Sequence, residues 1–88
     1  MSDLKGMDIT AARQLAGRIV TVGEDVGAKL VGLASELPNL QWLGADGDKF
    51  RTDCAQHLKQ LMTQVQQAAE DWSKHVNSQA DQQEQASA

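Results

Sequence analysis

What this chain lacks narrows what it can do. It has no tyrosine, one phenylalanine and two tryptophans, so its apolar interior must be built from leucine, valine, isoleucine and alanine. Its one cysteine, Cys54, cannot close an intramolecular disulfide, and the fold therefore does not rely on oxidation. Eight basic residues against twelve acidic ones give a net charge of -4, with no basic cluster. Neutralising a phosphate backbone takes a concentrated patch of Lys and Arg, which argues against nucleic acid as a partner; the same shortage argues against anionic membrane surfaces. The opening Met1-Ser2-Asp3-Leu4-Lys5-Gly6 has no positive region followed by an apolar stretch, so neither a cleavable signal peptide nor direct membrane insertion is expected. No glycine-rich loop follows a strand pattern, which removes a phosphate cradle and leaves no cofactor motif.

What is present is helical periodicity on both sides of a single proline. Ala12, Leu15, Ile19, Val22, Val26, Leu30, Leu33 and Leu37 recur in steps of three and four, with Asp8 placed to cap the start. Pro38 should stop this helix near Leu37, because proline has no amide proton to donate and disfavours helical geometry just before it. Gly44 and Gly47 then give freedom to the backbone, and Asp46 and Asp48 suit the positive end of a new helix. Phe50, Cys54, Leu61, Val65, Ala68 and Trp72 form a second stripe, widened by Leu58, Met62, Ala69 and Val76. The pattern predicts helix one over about 8–37, a Trp-bearing turn over about 38–46 and helix two over about 47–77. From Asn77 onward no apolar residue exceeds alanine, so 78–88 is expected to be a mobile tail.

The fold class is therefore all-α: one domain, an antiparallel two-helix hairpin. Small domains bury only about 60% of their unfolded surface, and two helices share a single contact layer, so a partner is expected to cover the remaining apolar flank and complete a four-helix bundle. The stripe of helix one is expected to meet the Phe50-to-Trp72 stripe inside the hairpin, leaving the wider flank of helix two for a second molecule.

Helix one also carries Gly17, Gly23, Gly27 and Gly32, each costing up to about 1 kcal/mol relative to alanine inside a helix. On a helical wheel Ala16, Gly23, Gly27 and Ala34 gather beside the apolar stripe. They are either a low-profile flank for close approach of another helix or tolerated weak points. The packing candidates are thus Ala16, Gly23, Gly27 and Ala34 on helix one and Leu58, Met62 and Trp72 on helix two.

Trp42-Leu43-Gly44, at mid-chain between two helical patterns and followed by Asp46 to Phe50, resembles the signature of the WXG family of small type VII secretion substrates, the early secretory antigenic target-like proteins. That resemblance spans essentially the whole chain. It implies helical hairpins that pair with themselves or with a second WXG-type protein, export without a cleavable signal peptide, and a turn at Trp42 and Gly44 recognised by a type VII secretion ATPase. The family's second signal is a tyrosine four residues before an acid, after helix two. Here the matching positions are Asn77 and Asp81, so the acid is present and the tyrosine is not. The departure implies a signal-bearing partner, a different export motif or no export at all; the alternative reading is a cytoplasmic helical adaptor or chaperone that pairs with a larger toxin-like client. Trp42 has a structural reading too, as an end cap packed on the turn with its indole proton given to a carbonyl. Gly44 either lets the backbone pass close to that ring or takes a positive φ.

Catalytic and metal chemistry find little support. Cys54 and His57 share a helical face, but two ligands do not make a metal site and His75 lies about five turns away. No third residue orients a nucleophile and base, so no enzyme is expected. His57 and His75 border the apolar stripe, where protonation could tune association.

Overall fold

Asp8 starts the first helix. Its carboxylate accepts from the Ala11 amide at 3.0 Å, filling one of the donors that a helix start leaves open, and its carbonyl accepts the first intrahelical bond, from the Ala12 amide at 2.9 Å. In the computed structural model, which describes residues 7–87, α1 runs Ile9–Glu36. Leu37–Asn39 tightens into a 3-10 turn carrying Pro38, and the chain then extends through Leu40 before α2 covers Ala45–Ser87. The two helices pack along each other as an antiparallel hairpin measuring 68 × 14 × 14 Å. A radius of gyration of 20.0 Å, against about 12 Å for a compact chain of this length, makes it a rod. Among the described residues no helix is long and apolar enough to cross a membrane.

α2 continues ten residues past the end expected at Asn77, and the predicted tail over 78–87 is helical. Two causes account for this. Gln, Glu and Ala are good helix formers, so Gln79 to Ala86 does not resist the conformation. More important, the N-terminal turns of α1 need something to lie against. Ala80 is fully buried there, and Arg13 of α1 pairs with Asp81 at 2.8 Å and reaches Glu84 at 3.6 Å. In a seam of small side chains, an alanine is bulk enough.

The seam corrects the sequence expectation in part, for Ala12 of the expected stripe is buried while Ile19, Val26, Leu30 and Leu37 are half-buried. Its buried members are Ala12, Ala16, Gly23 and Gly27 on α1, with Ser73 and Ala80 on α2. Leu15, Val22 and Leu33, expected to face the core, are instead exposed, as are Phe50, Leu61 and Trp72. Helices approach closest where side chains are smallest, so the glycine and alanine flank became the closest intrachain contact, with Cys54 and Val65 of α2 half-buried beside it and the outer edge of each apolar stripe left exposed. Ala16, Gly23 and Gly27 are thereby consumed within one chain. Ala34, Leu58 and Met62 are half-buried at the same seam, so the flank of α2 assigned to a second molecule packs on α1 instead.

Buried and half-buried positions recur every eleven residues: Ala12, Gly23 and Ala34 on α1, and Leu58, Ala69 and Ala80 on α2. An eleven-residue repeat, about 3.67 per turn, lies slightly above the helix's own 3.6 and is the period of a right-handed rather than a left-handed supercoil.

Candidate functional site

The turn is built around the backbone of Trp42. Leu40 is extended (φ -70°, ψ 120°), its amide donating back to the Leu37 carbonyl at 3.0 Å, and the Trp42 amide donates to the Leu40 carbonyl at 3.2 Å. Gly44 has φ 96°, the left-handed region that a side chain resists, and its carbonyl accepts from the Asp48 amide at 3.1 Å to open α2. The close backbone approach to the tryptophan belongs to Gly47, not Gly44. A Cβ on Gly47 would collide with the Trp42 carbonyl and ring. One turn on, Phe50 meets the Trp42 ring with centroids 5.3 Å apart, tilted by 36°. Arg51 locks the assembly from the other side, donating to the Leu40 carbonyl at 3.0 Å and to Asp48 at 2.6 Å.

Trp42 therefore stands on Gly47 and Phe50 at one end of the rod, with nearly half its surface open. Leu43 beside it is 94% exposed. Among the described residues, no hydrogen bond takes the indole proton of Trp42, contrary to the carbonyl partner expected for an end cap. Gly47 and Arg51 were not singled out from sequence for this role. The legible signal was a second glycine, five residues past the tryptophan, in a helical first turn where glycine is otherwise costly.

The second feature is the exposed stripe. On α1, Leu15, Val22 and Leu33 lie about 90° around the helix from the seam; on α2, Phe50, Leu61 and Trp72 are offset by a similar angle. Val20 and Glu24 of α1 share a single cleft with Gln66 and Glu70 of α2, which fixes those positions on one side of the hairpin. The two apolar stripes sit on the opposite flank of each seam, and so they form one continuous face. Trp72, 60% exposed, sets its ring edge-on to His75 at 5.4 Å there.

The remaining candidates are spread along the rod. Asn77 is half-buried in α2, and Asp81 is engaged by Arg13, whose guanidinium the Asp81 hydrogen bond holds above its usual range. Cys54 is half-buried and His57 exposed, and no group of three or more metal-binding side chains occurs among the described residues.

Comparison with protein-family models, with curated proteins and with solved structures finds no match to this chain.

Proposed function

We propose that this chain is a helical interaction module that pairs through its exposed apolar face into a four-helix bundle, and that it is exported as a WXG-type substrate of a type VII secretion apparatus. The observation that carries the pairing is the combined face of Leu15, Val22, Leu33, Phe50, Leu61 and Trp72 on a hairpin with no fully buried large side chain among the described residues. The chain exposes 6763 Å², whereas a compact protein of its mass exposes about 5,000 Å². Covering that excess on two hairpins would bury an area within the range of obligate dimers, about 2,000–5,000 Å² in total.

The spacing of α2 favours a second copy as the partner. Phe50, Leu61 and Trp72 are separated by eleven residues each. An antiparallel pairing of two α2 helices centred on Leu61 would set Phe50 of one copy opposite Trp72 of the other.

For export, the support is the Trp42-Leu43-Gly44 turn, which offers an exposed tryptophan and leucine on a backbone pinned by Gly44, Gly47 and Arg51. Such a rigid, protruding turn suits recognition by the secretion ATPase. Replacing Trp42 by alanine should abolish appearance of the chain in the culture supernatant of a host bearing such an apparatus, while leaving its association state unchanged; undiminished export of the variant would overturn the recognition role. One observation favours the adaptor alternative. Asn77 replaces the tail tyrosine, and Asp81 is occupied by Arg13, so the tail offers a weak signal of its own. A chain that stays out of the supernatant and co-purifies with a larger client would support this second reading.

A further inference from the structure

The side of the hairpin opposite the pairing face is not featureless. Where Ala34 of α1 faces Ala55 of α2, two methyl groups leave a notch of about 280 Å³ walled by Val31, Leu58 and Met62. Ala34 and Ala55 also border a wider, shallower cleft of about 520 Å³ that runs past Leu37 and Thr52 toward the turn. The notch is smaller than the cavities that enclose cofactors, roughly 300–1,000 Å³, and it opens at one end into a trough. Its shape suits side chains projecting from a linear segment.

Charge along this side of the hairpin is polarised, reading from the notch away from the turn. Lys59 stands at the rim of the notch, and the helical phase puts no carboxylate beside it: Asp53 and Glu36 point away on the outer faces, and Asp48 is held by Arg51. Eleven residues along α2, about 16 Å away, Glu24 and Glu70 flank the next cleft, one from each helix. A second α2 laid antiparallel so that Lys59 meets Glu70 would bring Asp71 and Lys74 over the notch and leave it without an apolar anchor.

We propose that this side of the hairpin docks an amphipathic helix of a different protein, lying from the notch away from the turn. That helix places an aliphatic side chain in the Ala34–Ala55 notch, a carboxylate over Lys59, and a cation about three turns away over Glu24 and Glu70. The hairpin is then two-sided, with one face for pairing and the other for a client helix, and the second face stands independently of the first.

The test uses the full chain and a fluorescent designed helix of about 18 residues bearing one leucine anchor, with a glutamate and an arginine eleven residues apart, read by anisotropy. Lys59→Glu should weaken binding by about tenfold or more, and a peptide with glutamate replaced by lysine should restore it. Ala55→Leu, which fills the notch, should weaken binding of both peptides, whereas Leu61→Glu on the pairing face should not. Both notch positions are exposed on one helix, and circular dichroism confirms that the variants stay folded. Absence of binding by the wild-type chain, indifference to Lys59→Glu and Ala55→Leu, or loss of binding only with Leu61→Glu would each overturn the proposal.

Discussion

Gly23 and Ala69 meet face to face across the hairpin: a Cβ on Gly23 would lie 2.6 Å from the Cβ of Ala69, nearer than two carbon atoms tolerate. This contact explains why glycine is kept in a helix that would otherwise be better served by alanine. Close approach at Gly23 sets the interhelical distance, and that distance decides which side chains are enclosed.

The four glycines of α1 should consequently separate into two classes. Gly17 and Gly32 have open space where a Cβ would fall, so Gly17→Ala should raise stability by about 0.5–1 kcal/mol through helix propensity alone. Gly23→Ala gains the same propensity but overpacks the seam at a cost of about 1–3 kcal/mol, so it should lower stability. Urea titration followed by circular dichroism measures both, and equal behaviour of the two variants would contradict a seam at Gly23.

At the turn, Gly47→Ala should be more disruptive than Gly44→Ala. The second forces a side chain into positive φ, at about 1–2 kcal/mol. The first drives a methyl group into the Trp42 carbonyl and ring, so Trp42 must leave its place beside Phe50. In a Trp72→Phe background the remaining tryptophan reports this directly, and its emission should shift to the red in Gly47→Ala.

The end of α2 depends on Arg13. Replacing Asp81 by asparagine should speed hydrogen exchange over the last turns of α2 and leave the middle of the helix unchanged; added salt should mimic the change, because both partners are exposed. The raised Arg13 value places the loss of this contact in a defined direction. A cation whose folded value is raised contributes fully at pH below its unfolded value and loses the contribution only as pH climbs through the folded one. Arg13 deprotonation should therefore add no pH dependence to stability between neutral and mildly alkaline conditions.

The hairpin was legible from sequence because its signals are local. Asp8 caps, Pro38 stops, Asp46 and Asp48 restart, and the apolar spacing between them is helical. The assignment of faces was not legible, because periodicity reports how apolar residues are spaced and says nothing of which face a helix turns toward its own neighbour. Leu15, Val22 and Leu33 look like core by size, and Gly23 and Gly27 could be read as a close-approach flank, but nothing in their spacing assigned that flank to the chain's own second helix. The end of α2 was missed for a related reason. Ala80 carries too little apolar surface to be noticed alone, yet it is bulk enough against Ala12 and Ala16. For the candidate site, the tryptophan turn could be located from Trp42 and Gly44, but its support by Gly47 and Arg51 depends on geometry that spacing does not encode.

Pairing through the exposed face is most directly tested by the mass of the purified chain in solution, measured by sedimentation equilibrium across low micromolar concentrations, for wild type and for Leu61→Glu. The account predicts a helical dimer of about 19 kDa, twice the 9.5 kDa chain, and a helical 9.5 kDa monomer for the variant, since a carboxylate at the centre of the face cannot be buried without a partner. A wild-type chain that is fully helical, cooperatively folded and monomeric at every concentration would contradict it.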